Sequence, residues 1–232
     1  MNITLDERFW NFMYEVAKKR YGFSKDFVTA TIHKFNVVGP FGPNENAFEK
    51  GINITEEEHK VLRLKVEWAL GLALSFCLMP VDDDNLYETP KRIAKMWMGD
   101  SLECDTELGG GRFSKPVRLP KFPNKDKQGH WVTKKVRLIA SCSHHFVPFF
   151  GEAIISYKPD KYLLGISKLQ RLTNYVANRF WLQEDLTMAL KKTIADAADV
   201  PLENVKVTIT AKHGCEMFRG VKNEQSELTT GD

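Results

Sequence analysis

Apolar residues recur at helical spacing through the first hundred positions and at strand spacing beyond about residue 130, so the chain changes character near its middle. Thr4 and Glu7 form a capping-box pattern followed by Phe9, Phe12, Met13 and Val16 on one face, which predicts a first amphipathic helix. Residues 37–52 hold three glycines, two prolines and two asparagines without periodicity and read as a linker. Thr55 and Glu58 repeat the capping signal before a long helix that ends by Pro80. Val66 to Met79 is nearly all apolar, but Glu67 interrupts it and it falls short of the ~20 residues that cross a bilayer, so a buried helix is expected. Thr89-Pro90 opens a shorter helix that Gly99 should stop. From 100 to 130, the run Gly109-Gly110-Gly111 and three prolines predict loops.

The second half reads as strand, strand, helix, helix, strand, strand. Val132–Ser141 and Gly151–Lys158 alternate as strands around a turn containing Cys142, Ser143, His144 and His145. A helix should begin near Ser167, with Gln170 completing a capping box and Leu169, Leu172 and Val176 on one face; Gln183–Ala198 predicts a second. Val205–Ala211 alternates as a third strand, with Glu216–Val221 as its expected hairpin partner. The expected division is a helical region over 1–100, a loop-rich connection over 101–131 and an α+β domain over 132–232.

Composition narrows the class without naming it. With 33 basic and 30 acidic residues the net charge is only +3, which argues against a dedicated nucleic-acid or membrane binder. Four cysteines are too few for a disulfide framework at 232 residues, and Asp6, Glu7 and the pair Lys18-Lys19 break any signal-peptide pattern, so a cytoplasmic protein is expected.

Cys142 and His145, with two residues between them in a tight turn, can reach one ion, and Cys215 offers a third donor from another strand. Three ligands would leave a fourth position open for water, as catalytic sites do; the plainer reading is a buried cysteine beside an incidental histidine. His144 and His213 each sit one or two residues from a proposed ligand, and an imidazole suits proton transfer near neutral pH. For His33, His59 and His130 a hydrogen-bonded structural role is the better reading, and Cys77 and Cys104 lack metal-site company. Ser167, Lys168 and Arg171 at a helix start could seat a phosphate, although basic residues on a solvated first turn are ordinary.

Taken together, Cys142-Ser-His-His145, Gly165-Ile-Ser-Lys-Leu-Gln-Arg171, Leu182-Gln-Glu-Asp-Leu-Thr187 and His213-Gly-Cys-Glu-Met-Phe-Arg-Gly220 resemble the GTP cyclohydrolase I family in order and spacing. The resemblance covers about residues 139–222 well and extends weakly upstream through Glu88–Trp97. It implies the tunnelling fold: a four-stranded antiparallel sheet with two helices inserted between strands 2 and 3, here preceded by a helical N-terminal region. It further implies a homo-oligomer, a decamer of two pentamers. By the same resemblance Cys142, His145 and Cys215 would hold zinc, His144 and His213 would handle protons, and Glu184 with Gln183 beside it would read the guanine edge. Ser167, Lys168, Arg171 and Arg219 would hold the triphosphate of GTP. The implied chemistry is hydrolysis at guanine C8, release of formate and rearrangement to 7,8-dihydroneopterin triphosphate.

Two positions depart from the family pattern. Ser143 stands where the family has Glu, removing a carboxylate beside the metal turn. After Thr229 and Thr230 the sequence ends at Asp232 where family members continue into a helix, so that tail's packing is expected to be absent or supplied by the N-terminal region. Two other readings stand beside this one: a tunnelling-fold enzyme on a pterin or deazapurine with Cys142 as nucleophile, and a non-catalytic zinc-stabilised binding module.

Overall fold

The structure is a computed structural model that describes residues 14–15, 18–19, 22–26, 42–80, 82–102, 108–117, 120–125 and 129–232. Of the first predicted helix only Tyr14 and Glu15 fall among these, and both are helical; Thr4 to Met13, Val16, His33 and Cys104 lie outside the described residues. The chain divides into two compact units, one from Met1–Pro40 with Lys60–Ala94 and the other from Phe41–His59 with Lys95–Asp232.

Helix α1 (Glu56–Phe76) starts where the capping box placed it. The Glu58 carboxylate accepts from the Thr55 backbone N–H at 2.9 Å, and the Glu58 N–H donates to the Thr55 hydroxyl at 3.2 Å. Helix α2 (Thr89–Met98) ends at Gly99, whose φ of 81° lets its N–H turn back to the Lys95 carbonyl at 2.8 Å. No helix among the described residues is long and apolar enough to cross a membrane.

The second unit is α+β. A two-stranded sheet pairs β1 (Lys121–Pro123), inside the stretch expected to be loop, with β4 (Tyr162–Leu164). The main sheet has the order β5-β2-β3-β6-β7, formed by β2 (Val132–Cys142), β3 (Pro148–Tyr157), β5 (Phe180–Trp181), β6 (Val205–His213) and β7 (Leu228–Gly231). Its strands β2, β3, β6 and β7 are antiparallel, and β5 adds a two-residue parallel edge to β2. Helices α3 (Ile166–Ala177) and α4 (Gln183–Ala198) come between β3 and β6 in the chain. Leu186, Leu190, Ile194 and Ala198, each four apart on α4, are fully buried and join Leu138, Phe149, Ala153, Ile155, Val207 and Ile209 of the sheet in one core. Exposed Phe150 and Ile154 belong to the alternate face of β3.

Three expectations need correction. The hairpin partner of β6 is Leu228–Gly231, whereas Gly214–Met217 forms a short helix, α5, so Glu216–Val221 is not a strand. Ser167 does not cap α3: the N-cap is Gly165, and Gln170 instead donates to the Arg137 carbonyl at 2.8 Å and accepts from the Arg137 N–H at 3.0 Å. A side-chain amide offers a donor and an acceptor at strand-like spacing, so it satisfies the edge of β2 better than a local cap would. Residues 42–52 are no free linker either, because fully buried Asn46 donates to the carbonyls of Gly111 at 2.7 Å and Ser114 at 2.9 Å. Each of these competing contacts is long in sequence, which local pattern cannot register.

Candidate metal centre and active site

The end of β2 turns through residues 143–147 into β3, and the turn is tied at its base. The Phe146 N–H donates to the Cys142 carbonyl at 2.8 Å, and the Cys142 N–H donates to the Val147 carbonyl at 2.9 Å. Phe146 sits at φ 53°, a left-handed conformation that costs a non-glycine residue on the order of 1 kcal/mol. Its ring packs on Phe180 at 4.6 Å between centroids and on Trp97 at 5.4 Å, contacts that offset the strain. The consequence is that His144 and His145 lie exposed at the tip while Cys142 points inward.

At the far end of β6, Gly214 lets the chain fold directly into α5. A Cβ there would lie 2.7 Å from the Pro148 carbonyl oxygen and 2.6 Å from a Val147 methyl, closer than either backbone or side chain tolerates. This close approach brings Cys215 beside Cys142. Among the described residues, Cys142, His213 and Cys215 form a group whose ligand atoms all lie within 4.8 Å of one another. Two sulfurs and one imidazole nitrogen are a donor set that suits zinc and leaves room for a fourth ligand. Burial pushes the Cys215 thiol pKa up, and neighbouring Cys142 raises it further. A divalent ion beside the pair would favour the Cys215 thiolate over the thiol.

His145, three residues from Cys142, is outside that group; its Nε2 faces the Arg219 guanidinium. His144 is edge-on to His145 with ring centroids 6.2 Å apart. His213 is held on two sides. Its ring stacks on buried Phe149 at 4.6 Å and 9° between planes, and its Nε2 meets the Gln183 carbonyl oxygen at 2.8 Å. Burial lowers the His213 pKa, opposed by the nearby carboxylates of Glu184 and Glu216, so the neutral ring is favoured near pH 7.

The remaining predicted residues are distributed as follows. Gln183 and Glu184 open α4, the first buried and the second exposed beside His213. Exposed Ser167 and half-buried Lys168 lie in the first turn of α3, with Arg171 exposed one turn on; the Lys168 N–H donates to the carbonyl of the N-cap Gly165 at 2.8 Å. Arg219 reaches the metal turn through His145. His59 is structural as expected, its Nε2 meeting the Met98 carbonyl at 2.9 Å in a buried setting. Sequence reasoning missed Glu49, Tyr175 and Arg179. Buried Arg179 donates to both Glu49 carboxylate oxygens at 2.8 and 2.9 Å, and the Tyr175 hydroxyl donates to one of them at 2.9 Å. No spacing signal links residues 130 positions apart.

The family model described as GTP cyclohydrolase I matches residues 74–232. A GTP cyclohydrolase 1 from Parabacteroides distasonis is 35% identical over 154 residues, covering 66% of this chain and 74% of that protein. One from Flavobacterium johnsoniae is 32% identical over 185 residues, covering 79% and 78%. One from Vibrio vulnificus is 30% identical over 208 residues, covering 89% and 87%. The match thus extends well upstream of the four motifs.

Proposed function

This chain is an enzyme of the GTP cyclohydrolase I family, and from that premise we propose that it hydrolyses GTP at guanine C8 using zinc at the Cys142–Cys215 pair, releasing formate and yielding 7,8-dihydroneopterin triphosphate. The observation that carries the proposal is the meeting of Cys142, Cys215 and His213 at one end of the main sheet, in a chain matched to this family over residues 74–232. The sheet with α3 and α4 between its second and third antiparallel strands supports reading residues 132–232 as a tunnelling-fold catalytic domain, after a helical region over 1–100 and a connection over 101–131.

In this reading Cys142, Cys215 and His145 hold the ion. The C-x-x-H spacing on a turn closed by the Cys142–Phe146 hydrogen bond lets His145 swing to the thiolates from its contact with Arg219. When bound, zinc supplies Lewis acidity and an activated water. His213 takes up and returns protons at Nδ1, since Nε2 donates its own proton to Gln183, and exposed His144 serves the later proton transfers. Glu184 accepts from guanine N1–H and the 2-amino group, as an ionised carboxylate can only accept. Ser167, Lys168 and Arg171 receive the triphosphate at the first turn of α3, joined by Arg219 once His145 has turned away.

The protein is proposed to act in the cytoplasm as a homo-oligomer, a decamer of two pentamers, without nucleic acid or membrane. Exposed Phe150 and Ile154 on β3 support an assembly face. Its product would feed folate, pterin or 7-deazaguanine synthesis. The test is incubation of purified, zinc-loaded protein with GTP, assaying formate and the fluorescent oxidised pterin, with ATP as control. Formate and pterin from GTP alone are expected; absence of both from GTP refutes the assignment.

A further inference from the structure

The Gln183 side chain is the hinge of a hydrogen-bond ring whose directions can be worked out by counting protons. Gln183 is 1% exposed, so its amide reaches no solvent. The two protons of its Nε2 are shared among three acceptors, the Leu228 carbonyl at 2.9 Å, the Ile209 carbonyl at 3.2 Å and the Thr230 hydroxyl oxygen at 3.2 Å. Flipping the amide would turn Oε1 onto two carbonyl oxygens, acceptor against acceptor, so the NH2 end faces these groups and Oε1 faces His213.

The rest of the ring follows. The Thr187 hydroxyl carries one proton, and it is donated to the Gln183 backbone carbonyl at 2.8 Å. In the 2.6 Å contact between Thr187 and Thr230 the donor is therefore Thr230. Gln183 donates to Thr230, Thr230 to Thr187, and Thr187 back to Gln183. Such a closed chain polarises each of its bonds in the same sense.

We propose that Thr230, on the last strand of the sheet, is a positioning residue: through Gln183 it holds the His213 ring, grouped with the cysteine pair, with its proton on Nε2 and its lone pair on Nδ1. Oε1 of Gln183 is acceptor-only, so Nε2 of His213 must be the donor in the 2.8 Å bond. Phe149, stacked on the ring, blocks rotation out of the plane. The assignment applies to His213 whether it transfers protons or binds metal, because either task needs the Nδ1 lone pair. A residue 17 positions beyond His213, outside all four motifs, thus sets the state of the reactive imidazole.

The inference rests on the GTP cyclohydrolase reading for its catalytic consequence, though not for its spectroscopic one. Thr230→Val keeps shape and strand preference but removes the hydroxyl; Thr230→Ser keeps the hydroxyl but loses a methyl and strand preference. A packing role ranks Val above Ser, whereas the hydrogen-bond ring ranks Ser above Val. In the zinc-loaded protein we expect Thr230→Val to lower kcat for GTP roughly fivefold with KM little changed, the scale of one neutral hydrogen bond, and Thr230→Ser to stay near wild type. In 15N-histidine NMR spectra the His213 Nε2–H signal should be sharp in wild type and Thr230→Ser, and broadened by solvent exchange in Thr230→Val. A sharp Nε2–H signal in Thr230→Val, or a Thr230→Ser protein as impaired as Thr230→Val, overturns the proposal. A wild-type protein with the sharp signal and no GTP turnover leaves the ring standing and removes the enzymatic reading.

Discussion

At the residue scale, His145 and His213 compete for one place beside the two cysteines. Geometry groups His213 with Cys142 and Cys215, while the motif resemblance assigns the ligand role to His145. The roles separate under substitution. His145→Ala should lose most of its zinc and its turnover together; His213→Ala should keep about one zinc per chain and lose turnover by ~10² or more, the scale of a general acid or base. Metal analysis of the two purified variants decides the matter, and zinc lost from His213→Ala but kept by His145→Ala would exchange the two assignments. Glu184 poses a cleaner case because it is exposed at the start of α4 and competes with no other ligand. Glu184→Gln keeps the shape, removes the charge and sets an amide donor against the guanine donors, so kcat/KM for GTP should fall by ~10² or more at unchanged zinc content. Near-normal kcat/KM would place guanine recognition elsewhere.

At the element scale, the site depends on how abruptly β6 becomes α5. Gly214 is the one residue there without a Cβ to strike the Pro148 carbonyl, and a backbone oxygen at 2.7 Å cannot step aside cheaply. Gly214→Ala should push α5 and Cys215 away from Cys142. Zinc content should then drop well below one per chain while the far-UV circular dichroism stays native, because the displaced element is a single turn. Full zinc occupancy in Gly214→Ala would show that the turn relaxes without moving the sulfur. This junction also marks how far the sequence could be read. The Thr55–Glu58 cap, the stop at Gly99 and the limits of α4 were legible because each is decided within about four residues by local hydrogen bonding or periodicity. Cys142 and Cys215 were legible as donors because cysteine and histidine at close spacing are chemically conspicuous. The last strand was expected at residues 216–221 and lies at Leu228–Gly231, since strand pairing is chosen by a partner rather than by the strand itself. The Gln183 ring was illegible for the same reason: it joins α4, β6 and β7, and none of its threonines differs in sequence from any other.

At the scale of the whole molecule, the second unit is closed by a contact that spans most of its length. Arg179 on the loop between α3 and β5 is buried, and its countercharge, Glu49, arrives from a segment 130 positions earlier. The Arg179 guanidinium also lies 5.0 Å from the Tyr175 ring centroid. Burial of Glu49 works to raise its pKa, but two hydrogen bonds and the charge of Arg179, with the Tyr175 hydroxyl, outweigh burial and leave it lowered. The same surroundings, burial first and the Glu49 charge second, push the Tyr175 pKa well up, so the phenol stays protonated and remains a donor. A carboxylate with a depressed folded-state pKa contributes stability that is present above its unfolded value of about 4.3 and is lost as pH falls through the folded value. Glu49→Gln keeps the shape but leaves Arg179 buried beside a neutral partner. Fully buried pairs cost ~3–5 kcal/mol when broken; with Glu49 about half exposed, about 2 kcal/mol is the expected loss at pH 7. In a chain of this size that corresponds to a melting temperature lower by about 4–8 °C. As pH falls below about 4, wild type should lose this increment and the variant should not, so their melting temperatures should converge. A thermal melt series from pH 7 to pH 3 checks both the magnitude and the sign. A gap that persisted undiminished at pH 3 would mean that the Glu49 side chain stabilises the unit through shape and not through its charge.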